Sequence, residues 1–100
     1  MVKVEWSEPA RDDLREIYRF IARDSPAAAK AFRQRLLDSD KQIAAHPDSG
    51  RVVPETGELT YREILVGNYR VQYRFRGEKA IIMLVIHGRR ILPPAIGTGA

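Results

Sequence analysis

No cysteine occurs among the 100 residues, which excludes disulfide staples, thiol nucleophiles and cysteine-based metal sites. The two histidines, His46 and His87, stand far apart and at no recognised ligand spacing, so neither a metal nor another cofactor is expected. No apolar run approaches the roughly 20 residues that span a bilayer. The opening Met-Val-Lys-Val-Glu-Trp also lacks the basic patch and apolar stretch of an export signal. A cytoplasmic protein without membrane contact is the expectation. P-loops, glycine-rich dinucleotide fingerprints and G-x-S-x-G elbows are missing too, which disfavours the enzyme classes built on them.

What remains is a short, basic, moderately apolar chain. Apolar residues make up 44% of the sequence, enough for one core and too few for two at this length. Residues 1–92 are therefore read as one domain. Pro93-Pro94 stops further strand pairing, and 93–100 is read as a flexible C-terminal tail. The formal charge of +4 favours encounters with phosphates, anionic surfaces or acidic proteins.

Val2, Val4 and Trp6 alternate with Lys3 and Glu5, the period of a half-buried strand. Ser7 then stands where a helix N-cap belongs, with Pro9 and acidic residues in the first turn. Ala10, Leu14, Ile17, Tyr18 and Ile21 recur at helical spacing. Asp24-Ser25-Pro26 breaks that helix and caps a second, which runs to about Ala45 with Ala29, Phe32, Leu36 and Ile43 on its apolar side. From Pro47 to Leu59 no period persists, and a loop is expected, with a short extended piece at Arg51 to Val53.

Thr60 to Val66, Tyr69 to Arg76 and Ala80 to His87 are strand-like runs separated by Gly67-Asn68 and Gly77-Glu78, which close antiparallel hairpins. The last is apolar on both faces, Ile82, Leu84 and Ile86 against Ile81, Met83 and Val85, which suits an interior strand paired also with the N-terminal one. The expectation is an α+β fold of order β-α-α-β-β-β, a helical hairpin on one face of a mainly antiparallel four-stranded sheet.

Alternation in the second run puts Tyr69, Val71, Tyr73 and Phe75 on one face and Arg70, Gln72, Arg74 and Arg76 on the other. With Arg89 and Arg90 just past the neighbouring strand, this predicts an outward row of guanidiniums suited to phosphate or carboxylate. The bland use of such a row is to blunt an exposed sheet. His87 ends its strand beside Gly88, and general-base work would require a positioned partner there.

The phrase S-x-x-A-x-x-D-L at Ser7 to Leu14, the block V-G-N-Y-R-V-Q-Y at Val66 to Tyr73 and V-I-H-G-R-R at Val85 to Arg90, taken in this element order, resemble the RelE/ParE superfamily of type II toxins. The resemblance covers nearly the whole chain. It implies a toxin neutralised by a cognate antitoxin in a heteromeric complex. In the RelE-like branch, which cuts messenger RNA on the ribosome, Arg70 and Arg90 fall where arginines are used. No tyrosine follows Tyr73, so only His87 is left there for proton transfer. The H-G-R-R ending is more similar to ParE, which poisons DNA gyrase without catalysing a covalent step, although Ile91 stands where many relatives carry an acid.

The resemblance therefore implies target contacts at Arg70, Arg74, Arg76, His87, Arg89 and Arg90, and antitoxin contacts at Leu14, Tyr18, Phe32, Leu36 and Arg70. A ribosome-dependent endoribonuclease using Arg70, His87 and Arg90, and a non-toxic nucleic-acid or protein-binding module that merely keeps the fold, are the alternatives.

Overall fold

Ser7 ends the first strand and begins the first helix. In the computed structural model, which describes residues 1–88, β1 (Lys3–Trp6) leads directly into α1 (Glu8–Asp24). The Ser7 hydroxyl accepts the Ala10 N–H at 3.2 Å, satisfying one of the amides that a helix start leaves unpaired. Ser25 serves two helices at once. Its N–H donates to the Ile21 carbonyl at the end of α1, and its hydroxyl accepts the Ala28 N–H at the start of α2 (Pro26–Ala45). One shared cap thus folds the helices into the expected hairpin. α2 buries Ala29, Phe32, Leu36 and Ile43, whereas α1 buries only Ala10 fully and leaves Leu14, Ile17 and Ile21 partly covered against the core.

Five strands form one sheet in the order β1-β5-β4-β3-β2, comprising also β2 (Arg51–Val52), β3 (Tyr61–Val66), β4 (Tyr69–Arg76) and β5 (Lys79–His87). β1 runs parallel to β5 and every other pairing is antiparallel. The α+β class and element order are as the sequence implies, but the sheet has five strands where four were expected. Arg51 and Val52 pair with Glu63 and Arg62, turning the short extended piece into an edge strand. Gly67 and Gly77 open the two hairpin turns at a φ of 59°, a left-handed conformation that glycine reaches without a Cβ clash.

Simple alternation fails in β5. Gln72 faces Leu84 but Tyr73 faces Ile82, so Met83 is an extra residue that bulges from the ladder. The bulge inverts the phase of the strand: Ala80 and Ile82 join Val85 in the core cluster with Val71 and Tyr73. The expected grouping of Ile82 with Leu84 and Ile86 is therefore corrected. α1 satisfies backbone groups around the bulge, because Ser7 Oγ donates to the Met83 carbonyl at 3.2 Å and Asp13 Oδ2 accepts the Val85 N–H at 3.1 Å.

β1 is fastened to α2 by Trp6, whose Nε1 donates to Asp40 Oδ2 at 3.0 Å; Asp40 Oδ1 is buried with no hydrogen-bond partner. Burial pushes the Asp40 carboxyl above its ordinary value of 3.8, and the Trp6 hydrogen bond offsets this only in part. The folded chain thus holds this proton more tightly than the unfolded one. Its contribution favours folding below that ordinary value and weakens as pH rises through the raised one. Asp40→Asn keeps an acceptor for Trp6 and removes the charge. Urea unfolding at pH 7 should show equal or greater stability than the parent, with less gain on acidification. A loss above about 1 kcal/mol at pH 7 would show the carboxylate to be stabilising instead.

Candidate functional site

The helices cover one face of the sheet. On the other, cross-strand pairing aligns Arg51 with Glu63, Glu63 with Gln72, Leu65 with Arg70 and Tyr61 with Arg74. The connection between β2 and β3, residues 53–60, folds over this face, rooted by the fully buried Val53 and pinned by Thr56, whose N–H and hydroxyl both donate to the Val53 carbonyl. Two acids of this connection, Glu55 and Glu58, reach the arginines of β4.

Arg70 is the centre of the arrangement. Its Nε donates to Glu63 Oε1 at 2.8 Å, and its Nη1 and Nη2 donate to Glu55 Oε2 and Oε1 at 2.8 and 2.7 Å, a bidentate fork. Glu63 accepts also from Gln72 Nε2 at 3.0 Å and, through its other oxygen, from Arg51. Tyr61 donates to Gln72 Oε1 at 3.3 Å, and the Arg74 guanidinium lies 5.1 Å from the Tyr61 ring centre while Nη2 donates to Glu58 at 3.1 Å. The Glu55 hydrogen bonds raise the Arg70 pKa beyond its ordinary value, further helped by Glu63 and opposed by burial. Burial raises the Tyr61 hydroxyl as well, so it remains a neutral donor. Arg51, Arg70 and Arg74 against Glu55, Glu58 and Glu63 make three charges of each sign. Over these six described residues the charges sum to zero.

An outward row of solvated cations is therefore corrected for its first half. The Arg70 side chain is 5% exposed and Arg74 36%, each held by an acid, whereas Arg76 is exposed at the far end of the strand. The row is buried at one end because its counter-ions come from a separate segment that folds onto it. His87 is exposed and packs edge-on against Tyr69 at 5.6 Å between ring centres. It shares a cavity rim with Arg51, Leu65, Asn68 and Gly88. Arg89 and Arg90 lie outside the described residues, as does the expected tail at 93–100.

Of the residues expected to meet an antitoxin, Phe32 and Leu36 are 6% and 2% exposed. They are corrected to core positions, since α2 turns both against the sheet and the Phe32 ring packs on Tyr69 at 5.2 Å. Leu14 and Tyr18 are partly covered and line a shallow groove with Arg15, Arg19 and Arg33. Sequence reasoning missed Arg51, Glu55, Glu58 and Glu63. The one signal available for Glu63 was its phase: it alternates with Tyr61 and Leu65 in a strand-like run, a position where an unpaired acid would be costly.

The model of the ParE toxin family, described as the ParE toxin of the type II toxin-antitoxin system parDE, matches residues 4–92. The chain belongs to the ParE toxin family. Among solved structures, the chromosomal ParDE toxin-antitoxin system from P. aeruginosa is similar at 19% identity and a TM-score of 0.68, over 87% of this chain and 96% of that one. A YoeB/ParE toxin from Agrobacterium tumefaciens is similar at 16% identity and a TM-score of 0.61, over 86% and 98% respectively. At these identities the likeness shows a shared fold. No curated protein matches the sequence.

For a ParE-family toxin, two surfaces stand out. One is the end of the sheet at His87 described above. The other is a groove between α1 and the end of β5, lined by Ile17, Phe20, Tyr69, Ile86 and His87, where Phe20 is 60% exposed. No helix among the described residues is long and apolar enough to cross a membrane, and no group of three His, Cys, Asp or Glu side chains there could hold a metal ion.

Proposed function

We propose that this toxin acts in the cytoplasm by binding DNA gyrase, and that a cognate antitoxin neutralises it in a heteromeric complex. Membership of the ParE family carries the first statement. The lack of any tyrosine beyond Tyr73 supports it against a ribonuclease reading, because only His87 is then left at this end of the sheet for proton transfer. Target contacts are assigned to the exposed Arg76 and His87, which stand at opposite ends of the β4–β5 ladder, and to Arg70, Arg74, Arg89 and Arg90. For the antitoxin, the partly covered face of α1 at Leu14 and Tyr18, with the exposed Phe20, replaces the buried Phe32 and Leu36 as apolar footing.

Purified toxin added to gyrase should inhibit supercoiling or accumulate cleaved DNA, and Arg76→Ala should weaken the effect by about tenfold, the loss of one good contact. Codon-positioned cuts on translating ribosomes, with gyrase unaffected, would instead establish the ribonuclease. Folded protein that neither arrests growth nor touches either target would leave a binding module that keeps only the fold.

A further inference from the structure

Glu55 and Glu58 both belong to the 53–60 connection, whereas Arg51, Arg70, Arg74 and Glu63 belong to strands. With the connection in place these six described residues sum to zero charge. Without its two acids, the strand residues alone carry three positive charges and one negative, a net +2. We propose that residues 54–60 form an acidic strap that covers a nucleic-acid-binding surface on the outer face of the sheet, and that phosphodiesters reach Arg70 and Arg74 only when the strap lifts.

Three observations carry this. First, the Glu55 carboxylate occupies the Arg70 fork in the two-point geometry that a phosphate adopts on the same group, so it stands where such a ligand would bind. Second, the strap exposes Pro54, Gly57 and Leu59, the last at 72%, between two fixed ends: the buried Val53, and Leu59-Thr60, whose carbonyls accept from Arg62 Nε at 2.6 Å and from the Phe75 N–H at 3.0 Å. Third, the surface continues beyond the strap as Arg76 and Lys79 with Ile81 and Met83, an open basic and apolar strip along which a phosphate backbone could extend. Opening is thus a choice between the tethered acids and an external polyanion, in which the bound form is favoured by its greater affinity for the lifted state. The inference does not depend on gyrase being the target, since it concerns the bare toxin and nucleic acid.

The test is binding of short fluorescent duplex DNA, followed by anisotropy over a range of salt concentrations. It compares the parent, Glu55→Gln/Glu58→Gln, and a control pair with the same change in net charge, Glu8→Gln/Glu16→Gln on α1. Glutamine keeps a hydrogen-bond acceptor at each site, and circular dichroism reports whether each protein is folded. The strap variant should bind about tenfold more tightly than the parent, with a salt slope steeper by about 2, matching two added phosphate contacts. Adding Arg74→Ala, at the half-exposed pair, should remove about half of the added salt slope. An equal gain in the control pair, or equal affinity and slope in parent and strap variant, overturns the proposal. So does a strap variant that prefers polyglutamate to DNA, which would make the surface a site for acidic protein. Parent toxin carrying only Glu58→Gln, at the half-exposed pair, should show a smaller gain of the same sign, and no gain there counts against the strap even if the double variant fails to fold.

Discussion

Glu63→Ala is expected to lower the unfolding free energy by about 3–5 kcal/mol, the cost of removing one partner from a buried ion pair. The Glu63 side chain is fully buried and accepts from Arg70, Gln72 and Arg51. Alanine leaves the Arg70 Nε and the Gln72 amide without their acceptor in a place water reaches poorly, and each unsatisfied group carries its own desolvation cost. Glu63→Gln retains volume and one acceptor while removing the charge, so it should fall between alanine and the parent. Urea denaturation of the three proteins checks the order. A loss below about 1 kcal/mol for alanine would mean that the network contributes little beyond filling space.

Gly50→Ala should destabilise by about 1–3 kcal/mol through overpacking. An added Cβ would lie 2.6 Å from the Tyr73 hydroxyl oxygen and 2.8 Å from the Glu63 carbonyl, and neither can retreat easily. Tyr73 is fully buried in the core, accepts the Gly50 N–H at 3.1 Å and donates to the Pro47 carbonyl at 2.6 Å. Burial pushes its phenol up, so it remains a neutral donor throughout the physiological range. Tyr73→Phe removes the clashing oxygen together with both hydrogen bonds. Thermal unfolding of the double variant should therefore show less than the sum of the two single losses, because both changes act on one contact. Strict additivity would place the strain at Glu63 alone.

Much of the fold could be read from local patterns because local physics sets them. Ser7 and Ser25 are caps whose hydroxyls each accept an amide three residues further on. The hairpin turns are likewise decided by two residues each. The bulge at Met83 could not be read, because β5 is apolar on both faces and its alternation has no contrast to mark a shift of phase. Nor could the edge strand at Arg51–Val52, which is two residues long and exists through its pairing with β3.

The site divides in the same way. That Arg70, Gln72, Arg74 and Arg76 share a face follows from a period of two along one strand, and the structure keeps them there. Whether they meet water or carboxylates depends on Glu55, Glu58 and Glu63, separated from them in sequence by a hairpin and a loop. The chain by itself therefore determined the caps, the turns, the helical hairpin and the common face of the arginines, since each is decided by neighbours a few residues apart. Burial and charge balance were decided only in the tertiary structure, because the energy of an ion depends on everything within a few ångströms, and here those neighbours come from the β2–β3 connection and from the strand alongside.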